Sequence, residues 1–106
     1  MEWALFLDDE RYLTDDELGK RNWIYARTFF EACHLVHRLG CPNFISFDHD
    51  LSDGPTGYKF AKWLTKQNMD RALKWPCNFA FRVHSQNPIG KMNIERYLDA
   101  FIHSEV

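Results

Sequence analysis

The sequence has little that would mark a secreted, membrane-spanning or fibrous protein. No apolar stretch approaches the roughly 20 residues needed to cross a bilayer. The N-terminal run MEWALFLDDE begins with an acid and has neither a basic flank nor a small-residue cleavage site, so it does not read as a secretion signal. Cysteines are few: Cys33, Cys41 and Cys77, odd in number and widely spaced. No pair has CxxC spacing, which argues against a disulfide framework or a zinc knuckle and predicts buried free thiols in a reducing compartment. Charge excess is absent too, with 13 basic and 15 acidic residues and a formal net charge of −2. That excludes a protein that coats nucleic acid through a basic surface, while leaving room for a small phosphorylated ligand held by a few placed cations. Repeats, low-complexity tracts and linkers are also missing. The expectation is one domain over residues 1–106, cytoplasmic, with no membrane partner.

Apolar and aromatic weight is what the chain does have. Hydrophobic residues make up 45%, with nine Phe and four Trp, enough for a real core. Residues 3–7 (WALFL) form a near-continuous apolar run ending on Asp8 and Asp9, as a strand buried on both faces does. Residues 22–27 (NWIYAR) predict a second strand. Between them Thr14 can open a helical turn, and Gly19 keeps it short. Thr28 and Glu31 form a T-x-x-E capping box for a helix with Ala32, Leu35, Val36 and Leu39 inward and Gly40 at its end. Residues 43–47 (NFISF) predict a third strand. Thr56 then caps a helix with Phe60, Trp63 and Leu64 inward. Residues 77–83 (CNFAFRV) alternate as a fourth strand, and a last helix over residues 91–103 turns Ile94, Tyr97, Leu98, Phe101 and Ile102 to one face. Helices separating strands predict an α/β fold, a three-layer sandwich around a short, mostly parallel sheet of about four strands.

Open parallel sheets bind ligands beyond the carboxyl ends of their strands. Here those ends carry Asp8, Asp9, Glu10 and Arg11, then Asp48, His49 and Asp50, then His84, Ser85, Gln86 and Asn87. The opposite edge receives ordinary turn residues such as Gly40, Pro42 and Pro76. Extended backbone aims Asp48 and Asp50 to one side and His49 to the other. Two carboxylates so close repel unless a cation or a shared proton relieves them. Plainer readings exist for each group: Asp8 and Asp9 can simply end a strand, and His84 with Ser85 can be a satisfied strand-end pair. His34, His37 and His103 read as surface or packing residues, and Trp63, Tyr97 and Phe101 as core.

The strings LFLDDER, ISFDHDL, TGY and VHSQNPIGKMN, in this order, resemble the cyclic-phosphate-processing receiver-like domain family, a small bacterial and phage relative of response-regulator receivers. The likeness runs from Leu5 to Asn93. It implies a flavodoxin-like, receiver-like sheet and an activity on cyclic phosphates, either 2′,3′-cyclic RNA ends or cyclic nucleotides. By position, Asp8 and Asp9 match the acidic pair that holds Mg²⁺ in receivers, Asp48 the phosphoacceptor, and Ser85 the hydroxyl residue after the fourth strand. An ordinary receiver adds a fifth strand with a lysine at its end, which has no counterpart here, so phosphorelay signalling is the less expected use. The added His49 and His84 point to acid–base chemistry instead, because an imidazole gives or takes a proton near neutrality.

The expected site follows. His49, His84, Asp48, Asp50 and Ser85 do the chemistry, and Arg11, Thr56, Gly57, Asn87 and Lys91 hold phosphate oxygens. Asp8, Asp9 and Asp48 hold Mg²⁺ or Mn²⁺, although a two-histidine route works without a metal. The expected partner is a phosphorylated small molecule or an RNA end. The rival expectation is a non-catalytic receiver-like module that docks a host protein or sequesters a nucleotide.

Overall fold

The computed structural model describes residues 2–51 and 54–104. Its elements run β1 (Ala4–Leu7), α1 (Asp15–Leu18), β2 (Trp23–Ala26), α2 (Phe29–Leu39), β3 (Phe44–Phe47), α3 (Gly57–Met69), β4 (Ala80–Val83) and α4 (Pro88–Ser104). The four strands form one all-parallel sheet in the order β2-β1-β3-β4. β1 is central, and all four of its residues are buried, which is why its sequence is uniformly apolar.

Side-chain alternation divides the sheet into two unlike faces. Leu5, Leu7, Ala26, Ile45, Phe47 and Val83 join Ala32, Val36, Phe60, Leu64, Ile94 and Leu98 in one core, so α2, α3 and α4 cover this face together. The other face carries Phe6, Trp23, Tyr25, Phe44, Ser46 and Arg82. It is covered by the segment between β1 and β2, which holds only the single turn of α1. That thin layer is pinned at three points. The Leu13 amide donates to the Tyr25 hydroxyl at 3.1 Å, the Trp23 indole donates to the Glu17 carbonyl at 2.9 Å, and the Glu17 carboxylate pairs with Arg82.

Several boundaries differ from the sequence reading for local reasons. β4 starts at Ala80, because the Phe79 amide donates to the Pro76 carbonyl at 3.1 Å and makes residues 77 and 78 a turn. α4 starts at Pro88, three residues before the expected 91, with Asn87 accepting from the Gly90 amide at 3.0 Å. Proline suits that first helical position. Thr28 does cap α2 through the Glu31 amide, but the Glu31 carboxylate returns to the Arg27 amide at 2.7 Å, one residue before the cap. The thiols are free, but only partly as expected: Cys33 and Cys41 are half-buried and Cys77 is exposed. Among the described residues no helix is long and apolar enough to cross a membrane.

Candidate active site

Parallel register carries the residues after the strands into one further rung. The Asp8 amide donates to the Ala26 carbonyl at 3.1 Å, Asp48 to Leu7 at 2.9 Å, and His84 to Phe47 at 2.9 Å. The ladder thus continues one residue past β1, β3 and β4. Residues two apart share a face, so Asp8 follows Phe6, Asp48 follows Ser46, and His84 follows Arg82. Asp8, Asp48 and His84 consequently offer ligand atoms that all lie within 4.8 Å of one another.

Asp8 is the innermost member, with 0% exposure. Its Oδ1 accepts from the Glu10 and Arg11 amides, both at 2.9 Å, and its Oδ2 lies 2.8 Å from His84 Nε2. Burial alone would raise its pKa, but the two amides and His84 outweigh that and hold it below the usual carboxylate range. Asp48 is shifted the other way. Burial first, then the charge of Asp8, push its pKa up, although the Ser85 hydroxyl donates to it. The rung therefore contains two carboxyls whose surroundings pull their proton affinities apart, lowering that of Asp8 and raising that of Asp48. Such a split is how paired carboxyls acquire different chemical roles.

The two histidines turn to opposite sides of the end of β3. His84 stacks on Phe6 with ring centroids 4.7 Å apart and planes 4° apart, on the thinly covered face. His49 lies against α4, where a Cβ on Gly90 would come within 2.4 Å of its ring. His49 Nδ1 is 2.8 Å from Asp50 Oδ1, and this bond is the first cause of the lowered Asp50 pKa. The structure thus forms two His–Asp pairs, His84 with Asp8 and His49 with Asp50, on either side of Asp48.

An open cleft of about 220 Å³ lies over this rung, lined by Asp9, Glu10, Arg11, Asp48, Asp50, Ser85 and Gln86. Arg11 brings the cation: its Nη1 donates to the His84 carbonyl at 3.2 Å and its Nε is 4.0 Å from Asp8 Oδ2. The other expected phosphate ligands are occupied elsewhere. Thr56 caps α3, accepting from the Lys59 amide at 3.2 Å. The Gly57 amide donates to the His49 carbonyl at 2.9 Å, and a Cβ there would sit 1.9 Å from the Asp48 carbonyl oxygen, so Gly57 lets α3 press against the site's backbone rather than hold a ligand. Asn87 caps α4 and reaches both Asp50 oxygens at 3.4 Å. Lys91 is exposed on α4 and does not line the cleft, and neither does His49, expected to be catalytic, because its ring packs against Gly90 of α4. Asp9 lines the cleft, but one residue past Asp8 it leaves the rung, and His84 takes its place in the metal-ligand group.

Three residues of the site have no counterpart in the sequence reading. Ser46 and Arg82 hold His84 from below, with Arg82 Nε donating to Ser46 Oγ at 2.8 Å and Ser46 Oγ 2.7 Å from His84 Nδ1. Arg27 closes the loop after β1, its Nη1 donating to the Asp8 carbonyl at 3.0 Å and to the Arg11 carbonyl at 2.6 Å. Ser46 and Arg82 each stand two residues before a site residue on the same strand, and Arg27 follows β2 level with Asp8 after β1; that spacing was the available signal.

A parallel β2-β1-β3-β4 sheet with acidic residues at the ends of β1 and β3 defines a receiver-like α/β domain. A solved structure containing the yeast Spc42 trimeric coiled coil, amino acids 181–211, fused to another structure superimposes with a TM-score of 0.56. It covers 95% of this chain and 76% of that chain at 18% identity, a likeness that speaks for the fold alone. No curated protein matches. More specifically, the chain belongs to the family described as the cyclic-phosphate processing receiver domain, whose model matches residues 3–100.

Proposed function

We propose that this domain is a phosphodiesterase that opens cyclic phosphates, on cyclic nucleotides or 2′,3′-cyclic RNA ends, in the cleft above Asp48. The observation that carries this reading is the convergence of Asp8, Asp48 and His84, whose ligand atoms all lie within 4.8 Å of one another, at a cleft that also presents Arg11 and Ser85. A carboxyl whose ionised form burial and a neighbouring charge oppose is a stronger base than an ordinary aspartate, suited to taking a proton from water. In the proposed step a water oxygen bonds to phosphorus and its proton passes to Asp48. The ring P–O bond breaks, and the departing oxygen takes up a proton from solvent in the open cleft, leaving a phosphomonoester. Arg11 and the Ser85 hydroxyl stabilise the phosphoryl oxygens as charge builds on them.

The donor set also suits a divalent ion. Carboxylate oxygens are hard donors suited to Mg²⁺ or Mn²⁺, and a cation between Asp8 and Asp48 would relieve the repulsion that adds to burial in raising Asp48. Asp8 and Asp48 would hold it, with His84 staying on Asp8 as its hydrogen-bond partner, and when bound it supplies a Lewis acid for the phosphoryl oxygens. The partner under this reading is the phosphorylated ligand itself.

The test is incubation of the purified protein with 2′,3′-cyclic mononucleotides, a short RNA bearing a 2′,3′-cyclic end and cyclic dinucleotides, with EDTA or with added Mn²⁺. Conversion to a phosphomonoester supports the proposal. Binding without turnover would replace it with a nucleotide-sequestering role. Neither binding nor turnover would leave a protein-docking module.

A further inference from the structure

Ser46 stands in the middle of β3, fully buried, in a strand otherwise made of Phe and Ile. A buried hydroxyl needs partners. One is the Arg82 Nε–H, which donates to Ser46 Oγ at 2.8 Å. Guanidinium nitrogens never accept, so this direction is fixed. The hydroxyl proton then needs an acceptor, and the structure offers His84 Nδ1 at 2.7 Å. With Nδ1 accepting, the ring proton sits on Nε2, where Asp8 Oδ2 waits at 2.8 Å.

The opposite tautomer breaks this order at both ends. Nδ1–H and Arg82 Nε–H would both point at Ser46 Oγ, leaving the buried hydroxyl proton with no acceptor. At the other nitrogen a bare lone pair would face a carboxylate oxygen. Phe6, stacked on the ring, fixes its plane. Arg82 is itself held by the Glu17 carboxylate and lies over the Trp23 and Phe44 rings, at 5.7 and 6.0 Å.

We propose that Ser46 and Arg82 are positioning residues that fix His84 as its Nε2–H tautomer and so make it a dedicated hydrogen-bond donor to Asp8. His84 then does not exchange protons with a ligand. It anchors Asp8, and the proton traffic of the cleft falls to Asp48. This assignment of work deepens the proposed function, but the tautomer is a property of the ligand-free protein and is measured without any substrate.

The experiment is a long-range ¹H–¹⁵N correlation spectrum of the His84 imidazole in labelled protein with EDTA, recorded at a pH where the ring's own ¹⁵N shifts show it neutral. Wild type is expected to show a protonated Nε2 and an unprotonated Nδ1. Ser46→Ala removes the donor to Nδ1 and shifts the tautomer ratio toward Nδ1–H by about five-fold or more, the weight of one hydrogen bond, while Ser46→Thr retains the wild-type pattern. Arg82→Met, at an exposed position, moves the ratio in the same direction even if Ser46→Ala fails to fold. A wild-type spectrum with Nδ1 protonated, or a ratio unmoved in the folded variants, overturns the proposal. Loss of cyclic-phosphate turnover alone would touch only the proposed function.

Discussion

Replacing Asp8 and Asp48 by their amides should change stability in opposite directions. Asp8→Asn keeps the shape of the side chain but removes its charge. Its oxygen still accepts from the Glu10 and Arg11 amides, now as neutral bonds. Each is about 1 kcal/mol weaker without the charge. On the other side, the new amide N–H faces His84 Nε2 across 2.8 Å, donor against donor, so a charge-assisted bond of about 1.5–3 kcal/mol is lost. Relief of repulsion with Asp48 returns part of this, and the net loss is about 2–4 kcal/mol, or roughly 10–25 °C in Tm for a domain of this size. Asp48→Asn removes a carboxylate whose ionisation burial and Asp8 already oppose, and the Ser85 hydroxyl can still donate to the amide oxygen. It should raise Tm. Urea and thermal unfolding followed by tryptophan fluorescence measure both. A stabilised Asp8→Asn variant, or a destabilised Asp48→Asn variant, would refute the assignment of opposite roles within the rung.

Further outcomes follow from the same geometry. The raised pKa of Asp48 means that its ionised form opposes folding above that value, so stability should rise slightly as pH falls from neutrality toward about 4. The lowered pKa of Asp8 means that its contribution is present above about 3.9 and is lost as pH falls below it. Chemical denaturation across pH should therefore show a shallow maximum on the acid side, absent in Asp48→Asn. Gly57→Ala forces a Cβ to 1.9 Å from the Asp48 carbonyl oxygen and should cost about 3 kcal/mol or more, read as a lowered urea midpoint. Among the thiols, burial pushes Cys33 and Cys41 up to about 12 while Cys77 is exposed, so a thiol-reactive dye should label one cysteine quickly and the other two only on unfolding.

Local signals carried much of the fold. WALFL announced a strand buried on both faces, and it became the central β1. Thr14, Thr28 and Thr56 each cap the helix that their position predicted. The errors came where a nearby contact overrode the pattern. CNFAFRV alternates as a strand should, yet its first residues turn because the Phe79 amide finds the Pro76 carbonyl first. The start of α4 was written as Asn87-Pro88, a cap followed by the residue best suited to the first helical position, and was read too late. Convergence of Asp8, Asp48 and His84 on one edge was legible from strand ends alone. Their partners were not, because pairing His84 with Asp8 requires the register of three strands that are distant in sequence. Ser46 was a visible anomaly, a hydroxyl inside an apolar strand two residues before Asp48. Only the parallel register shows that its neighbour is Arg82 and that the pair lies beneath a histidine.

Because Asp48→Asn should be at least as stable as wild type, its turnover isolates chemistry from folding. Ring opening of 2′,3′-cyclic AMP followed by ³¹P NMR is the direct measurement. The account predicts a phosphomonoester signal growing with wild type and nearly none with an equally folded Asp48→Asn. A variant that opens the ring at the wild-type rate, or a wild type that never opens it, would contradict the claim that this cleft processes cyclic phosphates through Asp48.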